Sequence, residues 1–344
     1  MKLGIIGTGK IIEDALFAIE PVAQIERRAI FARPHSKQKA QDFAARYAIV
    51  QVFTDYDELL EKAVVDTVYI GLVNSVHYEY AKKALLKGKN VILEKPFAAT
   101  YDEAAELISL ARSRKLFVFE AITVLHNEVI KKMRQALPKL GAIKMFFANY
   151  SQYSSRYDRY LCGDVDHSFD PAFLGGALRD INVYNIHYAV ALFGQPKKAR
   201  YFANLGFNGI DTSGALVMEY DGFCAVCAGA KDSDSPCFVS VQGEKGFMKI
   251  DGKPNVAPNL TTVITDESGG TVKDAAGAIV RATKTERFEP PKVHHRMTQE
   301  FIDFADIIDK KDFSAAEALY EQTLGVMKVI CDSTGFEMPN AQLS

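Results

Sequence analysis

The sequence contains little that would place the protein in a membrane, on nucleic acid or in an oxidising compartment. It has only five cysteines in 344 residues, an odd number, so we expect reduced thiols in a cytoplasm rather than a disulfide framework. No apolar run reaches the roughly 18 residues that a membrane span requires. The 41 lysines and arginines nearly balance the 43 aspartates and glutamates, and a net charge of −2 creates no strong field for nucleic acid or anionic membrane.

Signals for export and for metal binding are also missing. Lys2 is followed directly by LGIIGTGK, which is typical of a strand and a glycine turn, so we expect no signal peptide. Cys224 and Cys227 have C-x-x-C spacing, but no second ligand pair accompanies them, and thiols at this spacing on a strand point to opposite faces. His294 and His295 open a helix and are assigned to the surface. We therefore predict no metal site.

Short apolar runs alternate with helical patterns over the first 120 residues. The runs are continuous rather than alternating, which is typical of a parallel sheet covered on both faces. Repeated βα units of this length predict right-handed crossovers and a doubly wound sheet. The predicted strands are 2–6, 27–32, 67–71, 90–94 and 116–120, and the predicted helices are 11–20, 36–47, 76–88 and 101–114.

The pattern changes near residue 121, where stretches of alternating apolar and polar residues begin. They are separated by short turns and predict a large, mostly antiparallel sheet, with strands at 142–150, 197–207, 214–220 and 223–230. The predicted helices are 126–137, 178–193 (closed by Gly194), 294–309 and 314–332. The segment 251–285 gives the weakest pattern. The fold class is therefore α/β, with a doubly wound first domain at 1–121 and an α+β second domain at 122–344.

Gly7 and Gly9 follow the first strand and precede a helix in the stretch GIIGTGKII. Without a Cβ, Gly7 permits a tight turn, and Gly9 lets the backbone approach a pyrophosphate bound by the N–H groups of Lys10 and Ile11 at the helix start. The third position of this dinucleotide fingerprint holds Ile12 instead of a small residue. An ordinary strand-to-helix turn is the alternative, but the position after an N-terminal strand favours a dinucleotide.

The end of the second strand indicates which dinucleotide binds. NAD-binding domains usually end this strand with Asp or Glu, which bonds the ribose 2′-hydroxyl. The stretch FARPHSK has no acid; it presents Arg33, followed by Ser36 and Lys37. A guanidinium and a hydroxyl suit a 2′-phosphate, so we expect NADP. NAD stays possible if Arg33 is merely solvated.

Glu94, Lys95 and Pro96 end an apolar strand of the parallel sheet. Ligands of such sheets bind outside the carboxyl ends of the strands. The Lys95 amine is therefore predicted to point into the cofactor and substrate crevice, where it can lower the pKa of a neighbouring acid or hold a substrate hydroxyl. The alternative is a strand end that simply reaches solvent.

The stretches GLVNSVHYEYAKKALLKGKNVILEKP (71–96) and DPAFLGGALRDINVYNIHYAVALFG (170–194) resemble the glucose–fructose oxidoreductase / inositol dehydrogenase (Gfo/Idh/MocA) family. The order and spacing of its motifs agree from residue 1 to about 194. The matching positions are Gly7 and Gly9, Asn74 and His77, Glu94-Lys95-Pro96, Gly175-Gly176, Leu178, Asp180 and Tyr184. The resemblance implies a Rossmann domain whose cofactor site includes Asn74, His77, Glu94 and Lys95.

The chain departs from the family pattern at several positions. Ile12 replaces a small residue, Ala177 follows only two glycines, Asn182 replaces a usual glycine, and His187 stands where many members have Asp. Tyr184 stands where many members carry a catalytic His. The resemblance therefore leans toward the tyrosine-bearing branch, which includes dimeric dihydrodiol dehydrogenase and often uses NADP.

Hydride transfer at a carbinol carbon requires a group that takes or gives the hydroxyl proton. A free tyrosine has a pKa near 10, which is too high for a good base, but a nearby ammonium favours the phenolate. Lys95 is predicted to supply that charge to Tyr184. Asp180 lies one helical turn before Tyr184, at i and i+4, and is predicted to bind a second substrate hydroxyl. An ordinary core tyrosine is the alternative for Tyr184.

The stretch NYSQYSSRYDRY (149–160) mixes aromatic residues with arginines. Such a mixture can stack on nucleic acid in a basic protein, but the net charge here argues against it. Tyr153 and Arg156 are candidates for lining a polar pocket, with a plain surface loop as the alternative. The role of His187 stays open, although it is the next candidate for proton transfer after Tyr184.

The sequence thus predicts an NAD(P)-dependent oxidoreductase that acts on a hydroxyl or carbonyl of a sugar, polyol or cyclic diol. A non-catalytic NAD(P)-binding sensor and a cofactor-retaining glycosidase of the same fold are alternatives, and the presence of both Lys95 and Tyr184 argues against the sensor. The helices predicted after residue 194 are too few to cover both faces of the second sheet. We therefore expect a homodimer or larger assembly, in line with the resemblance.

Overall fold

The continuous apolar runs of the first 120 residues form a six-stranded parallel sheet in the structure, a computed structural model that describes residues 1–334. Every residue of two of its strands, Thr67–Ile70 and Asn90–Glu94, is buried, because helices cover both faces. The strands are β1 (Lys2–Ile6), β2 (Glu26–Phe31), β3 (Gln51–Phe53), β4 (Thr67–Ile70), β5 (Asn90–Glu94) and β6 (Val118–Ala121), and they lie in the order β3-β2-β1-β4-β5-β6. This order reverses between β1 and β4, where dinucleotides bind in such folds.

Five helices connect these strands. They are α1 (Lys10–Ala18), α2 (Lys37–Tyr47), α3 (Tyr56–Lys62), α4 (His77–Leu86) and α5 (Tyr101–Arg114). The sequence pattern did not predict β3 and α3, which have only three and seven residues. One local signal marks them: Asp55 is the N-cap of α3, and its carboxylate accepts the N–H of Glu58 at 2.9 Å.

The alternating stretches after residue 121 form an eight-stranded mixed sheet. Its order is β16-β13-β12-β11-β7-β10-β9-β8, and only the β7–β10 pair is parallel among these strands. The strands are β7 (Ile143–Ser151), β8 (Lys198–Leu205), β9 (Asp211–Tyr220), β10 (Phe223–Ala230), β11 (Phe238–Gly243), β12 (Gly246–Asp251), β13 (Leu260–Thr265) and β16 (Thr283–Phe288). A separate hairpin joins β14 (Thr271–Lys273) and β15 (Ile279–Arg281), inside the segment with the weakest pattern.

The helices of this second region are α6 (Glu128–Ala136), α7 (Tyr157–Leu161) and α8 (Val183–Phe193). A π-helical turn, Leu178–Asn182, leads directly into α8, so the helix predicted over 178–193 is continuous but changes its hydrogen-bond pattern at its start. Such π-turns are often found at functional sites. Gly194 ends α8, as predicted. The α/β fold class, with a parallel sheet followed by a large, mostly antiparallel one, is confirmed.

The chain divides into two units by its internal contacts. The first comprises Met1–His126, Asp166–Gly175 and Lys292–Met327, and the second comprises Asn127–Val165, Gly176–Pro291 and the described residues from Lys328 onward. Helix α9 (Thr298–Lys310) and most of α10 (Phe313–Thr334) therefore belong to the first unit, although both fall inside the predicted range 122–344. The assignment of roles to 1–121 and 122–344 stays a prediction.

Side-chain contacts attach α9 and α10 to the parallel sheet. The hydroxyl of Thr298 donates to the carbonyl of Ala18 at 2.9 Å, and the rings of Phe304 and Phe119 stack at 4.8 Å. The hydroxyl of Thr323 donates to the buried carboxylate of Glu120 at 3.0 Å. Among residues 1–334, no helix is long and apolar enough to cross a membrane.

Candidate active site

The glycine turn between β1 and α1 is crowded at one glycine and open at the other. Gly7 has a φ of +119°, a conformation that favours glycine, and a Cβ there would lie 2.8 Å from the carbonyl oxygen of Gly71. A Cβ at Gly9 would meet no atom of residues 1–334 within 4 Å. The fold itself therefore requires glycine at position 7, whereas the space beside Gly9 suits the close approach of a ligand.

The start of α1 lies in this turn and has anion-binding groups available. Gly9 is the N-cap residue, and no side chain of the described chain caps the helix, so the N–H groups of Lys10 and Ile11 can bind a phosphate. The ammonium of Lys10 lies 3.3 Å from Glu13 and 3.1 Å from Asp14. Lys10 therefore fits a cofactor through its backbone rather than through its charge.

The end of β2 lies beside the same turn, because the N–H of Gly7 donates to the carbonyl of Phe31 at 3.0 Å. Arg33 follows, is exposed, and precedes a short helical turn that ends at Ser36. The guanidinium of Arg33 makes no hydrogen bond or ion pair with other residues of the described chain. A cation without a partner next to a phosphate-binding turn is the arrangement that suits the 2′-phosphate of NADP.

The Glu94-Lys95-Pro96 turn at the end of β5 is tied to the loop after β4 by His77. This ring is fully buried, with Nδ1 3.0 Å from the carbonyl oxygen of Pro96 and Nε2 3.2 Å from that of Leu72. Burial lowers the pKa of His77, which favours a neutral ring that donates to one of these carbonyls. Both ring nitrogens thus face protein groups, and His77 fixes the turn that carries Lys95.

Glu94 points into the interior of the first unit. Its carboxylate is 6% exposed and accepts the hydroxyl of Tyr69 at 2.7 Å. Burial raises the pKa of Glu94, and it raises that of Glu300 on α9 further, with the charge of Glu94 as the second cause. Lys95 itself is half-buried. Asn74, in the turn after β4, uses its amide to donate to the carbonyl of Leu174 at 2.9 Å.

In the second unit, the π-turn before α8 is fastened to the neighbouring strands. The N–H of Leu178 donates to Asp211 at 2.7 Å, and the amide of Asn182 donates to the carbonyl of Cys227 at 2.9 Å. Between these two points, the carboxylate of Asp180 pairs with the ammonium of Lys231 at 2.8 Å. Asp180 is therefore held in place by an ion pair that the sequence pattern did not predict.

Tyr184 follows Asp180 by one turn and is 6% exposed. Its ring lies 5.8 Å from that of Tyr150, the residue before the end of β7. His187, also on α8, is fully buried. The arrangement places a phenol and a carboxylate on one short stretch at the start of the helix.

Tyr153 and Arg156 lie in the loop between β7 and α7. The hydroxyl of Tyr153 donates to Asp158 at 2.6 Å, and its N–H donates to Asp234 at 3.0 Å, while the side chain stays 37% exposed. Arg156 is half-buried. Their predicted place in a pocket wall stays a prediction.

The structure thus groups the predicted site residues within each unit. The first unit brings together the glycine turn, the Arg33 segment and the Glu94-Lys95-Pro96 turn, which all lie at the carboxyl ends of parallel strands. The second unit brings together Asp180 and Tyr184. The predicted pairing of Lys95 with Tyr184 stays a prediction.

Comparison with known proteins identifies the family. Residues 1–122 match the model of the Gfo/Idh/MocA oxidoreductase family with an NAD-binding Rossmann fold, and residues 130–249 match the model of its C-terminal domain. The chain belongs to the Gfo/Idh/MocA oxidoreductase family. The predicted family and the predicted class, an oxidoreductase with a nicotinamide dinucleotide, are confirmed.

Similar proteins within this family carry several activities. The chain is 36% identical to scyllo-inositol 2-dehydrogenase (NADP(+)) IolU of Bacillus subtilis (strain 168), over 73% of this chain and 76% of that protein. It is 26% identical to trans-1,2-dihydrobenzene-1,2-diol dehydrogenase of Xenopus tropicalis, over 72% of this chain and 74% of that protein. The 3-ketoreductase KijD10 of Actinomadura kijaniata, in complex with NADP and TDP-benzene, has a TM-score of 0.78 at 23% identity, covering 97% of this chain and 98% of that one, which shows the shared fold.

Two departures from the Gfo/Idh/MocA pattern are each matched by a glycine on a neighbouring segment. Ile12, at the small third position of the fingerprint, is fully buried against Gly71, where a Cβ would lie 2.7 Å from its Cδ1. Asn182, in place of a usual glycine, packs against Gly229 of β10, where a Cβ would lie 2.8 Å from the Asn182 Cβ. In both places, a glycine on the other side of the contact leaves room for the larger helix side chain.

Sequence reasoning missed Lys231 and Asp211. The motif matches end near residue 194, and these residues lie after β10 and at the start of β9. One local signal could have identified Lys231. It is a lysine that directly follows the apolar strand FCAVCAGA, just as Lys95 follows the end of an apolar strand.

Proposed function

We propose that the protein is an NADP(H)-dependent oxidoreductase that interconverts a hydroxyl and a carbonyl group of a polyol, sugar or cyclic diol. The observation that carries this proposal is the shared sheet edge of the first unit, where an open glycine turn, Arg33 and Lys95 all follow parallel strands, and where the Arg33 guanidinium has no partner among residues 1–334. The names of related enzymes, which act on an inositol and on a dihydrodiol, support the substrate class.

The cofactor is held by backbone and side chains of the first unit. Gly9 admits the pyrophosphate, and the N–H groups of Lys10 and Ile11 bind it. Arg33 and Ser36 bind the 2′-phosphate. Glu94 and His77 support the cofactor site indirectly, because both side chains are buried and hydrogen-bonded to other protein groups. When bound, the nicotinamide supplies or accepts the hydride.

Proton transfer is assigned to Tyr184. Its hydroxyl gives a proton to the forming alcohol or takes one from the alcohol that is oxidised. Lys95 favours the phenolate through its positive charge and contacts the same substrate oxygen. Asp180 binds a second hydroxyl of the substrate, which selects compounds with neighbouring hydroxyl groups.

A panel of inositols, aldoses and cyclic diols tests this function. Each compound is incubated with the protein and NADP⁺, and the reduced nicotinamide is followed by its absorbance. Turnover of at least one vicinal diol or polyol is expected. Release of sugar from a glycoside without net change in the cofactor would instead favour the glycosidase, and cofactor binding without either reaction would favour a sensor.

We propose further that two copies of the chain associate through the second sheet. Along β9, β10 and β7, the cross-strand residues Leu216, Cys227 and Ala148 are buried on one face, which α8 covers. The next residues along, Val217, Val226 and Phe147, form an aligned apolar row on the other face and are only partly buried. Phe202 on β8 and Phe247 on β12 extend this face and are 51% and 40% exposed.

An exposed apolar sheet face of this kind would favour aggregation of a monomer. A second copy of the chain would bury this face in a dimer interface. Light scattering is expected to give at least twice the 38.1 kDa of one chain. Val226→Lys should produce monomers, whereas Val50→Lys, at a 63% exposed valine of the first unit, should not. A monomeric wild-type protein at micromolar concentration would refute the assembly. We also assign the protein to the cytoplasm, and the absence of any disulfide between the five cysteines in residues 1–334 supports this assignment.

A further inference from the structure

Lys231 is a buried cation next to Asp180. It follows β10 directly, its side chain is 4% exposed, and its Nζ lies 2.8 Å from Oδ2 of Asp180. Its backbone is held from two directions, since its N–H donates to the carbonyl of Thr212 at 2.8 Å and its carbonyl accepts the N–H of Ser154 at 2.9 Å. The ammonium is therefore fixed in the interior of the second unit.

The turn that carries Asp180 is fixed at its first residue by Asp211. This carboxylate accepts the N–H of Leu178 at 2.7 Å and the hydroxyl of Tyr201 at 2.8 Å. Gly176 lies against the same carboxylate with a φ of +100°, and a Cβ there would overlap Oδ1 of Asp211. Asp211 therefore sets the backbone of the turn, and Lys231 sets the side chain of Asp180.

The exposures of the two partners differ in a way that separates their roles. The side chain of Asp180 is 32% exposed, whereas that of Lys231 is 4% exposed. Asp180 can reach a ligand, but Lys231 cannot. A buried ammonium without a charged partner is strongly destabilising, so the ion pair constrains the carboxylate of Asp180.

We propose that Lys231 is a positioning residue that holds the Asp180 carboxylate, ionised and in a fixed direction, for a hydroxyl group of the substrate. This inference rests on the proposed function, in which Asp180 binds that hydroxyl. Lys231 touches no substrate itself. It acts on the substrate site through its ion pair with Asp180.

The activity test uses the full chain with NADP⁺ and scyllo-inositol, and then the panel compound that is turned over fastest. Lys231→Met is expected to lower kcat/KM about 10- to 100-fold, the usual effect of losing a charge-assisted hydrogen bond, with an unchanged Kd for NADPH. Asp180→Asn should cause a similar loss. The double variant should be no worse than Asp180→Asn, and Lys231→Arg should recover most of the activity.

Lys245→Met is the matched control. Lys245 pairs with Glu267 at the same 2.8 Å, but both side chains are more than half exposed. This variant should keep wild-type activity. If Lys231→Met does not fold, the double variant still decides the matter, because removing both charges of a buried pair is tolerated better than removing one. Losses that multiply in the double variant, or a Lys231→Met enzyme within threefold of wild type, would overturn the proposal.

Hydrogen exchange provides a readout that does not need activity. Lys231→Met should speed exchange over residues 178–184, and Lys231→Arg should not. An inactive wild-type protein with this local change would refute the proposed function and keep the positioning role. Unchanged exchange in Lys231→Met would refute the positioning role, whatever the panel shows.

Discussion

Arg33 occupies a strand end where dinucleotide-binding domains that use NAD carry an acid. It is exposed, and its guanidinium has no partner among residues 1–334. The side chain is therefore available for a ligand, and nothing in the described fold depends on it.

Arg33→Ala is expected to weaken NADPH binding about 10- to 100-fold and to leave NADH binding unchanged, because only NADPH carries the 2′-phosphate. Fluorescence titration of both cofactors measures this. Lys62→Ala removes an exposed charge from the same unit and serves as the control. Equal affinities of the wild-type protein for the two cofactors would contradict the assignment.

Glu300 is a buried acidic residue to which the proposed reaction assigns no role. It is 1% exposed, and its Oε2 has no hydrogen-bond partner in the described chain. Its pKa is raised well above the usual value, first by burial and then by the charge of Glu94. The folded protein therefore keeps a proton that the unfolded chain releases above about pH 4.5.

The protonated Glu300 side chain contributes to the free energy of unfolding at low pH. This contribution is lost as the pH rises from about 4.5, where the unfolded chain ionises, toward the raised pKa of Glu300 in the folded protein. Glu300→Gln keeps the shape without the titration. The variant is therefore expected to gain stability relative to wild type between pH 5 and pH 8, as measured by urea unfolding at both values. A constant difference between variant and wild type across this range would rule out the assigned titration.

At the scale of elements, β1, α1 and β4 meet through a close contact between Ile12 and Gly71. Gly71→Ala should destabilise the protein by about 1–3 kcal/mol, because a Cβ would overlap the Ile12 side chain. Ile12→Ala should cost less in the Gly71→Ala background than in wild type, because it also removes the clash. Urea unfolding of the four proteins measures this coupling.

Gly9→Ala is the control for that experiment. The added Cβ would meet no atom of residues 1–334, so no steric loss of stability is expected in the cofactor-free protein, while NADPH binding should weaken. Additive losses at Gly71 and Ile12 would show that the close contact does not set the stability of this junction.

Sequence patterns predicted the elements that are long or strongly apolar. The five predicted strands of the first sheet and the helix before Gly194 were found, because continuous apolar runs and a closing glycine are local signals. The short elements β3 and α3 were missed, since three and seven residues are too few to show a clear hydrophobic periodicity. Lys231 and Gly71 could not be assigned a role from sequence, because each acts through a residue that is distant in the chain.

At the scale of the whole molecule, the proposed chemistry draws on both units. Lys95 belongs to the first unit, and Asp180 and Tyr184 belong to the second. Neither unit carries all the reactive groups. The proposed cooperation of Lys95 with Tyr184 is therefore tested by measuring whether the effects of substituting the two residues depend on each other.

Tyr184→Phe is expected to lower kcat at least about 100-fold while NADPH binding stays unchanged, because the phenol only transfers a proton. Lys95→Met should also lower kcat, and the two losses should not multiply. The apparent pKa of the pH–rate profile should rise when Lys95 is removed, since its charge favours the phenolate. Tyr188→Phe, on the same helix with a hydroxyl bonded to the carbonyl of Pro254, is the control. Near-normal activity of Tyr184→Phe would move the proton transfer to another residue, with His187 or a water held by Asp180 next in line.

The glycine opposite Ile12 also limits how parts of this fold can be exchanged. A designer who transplants the segment from Gly7 to Ile12 into a related enzyme with a Cβ at the position of Gly71 would bring the Ile12 side chain against that Cβ. The graft would succeed only if residue 71 travelled with it, although 59 positions separate the two in the chain. The swappable module for cofactor engineering is therefore the loop together with the tip of β4, and not the contiguous fingerprint by which such loops are usually recognised.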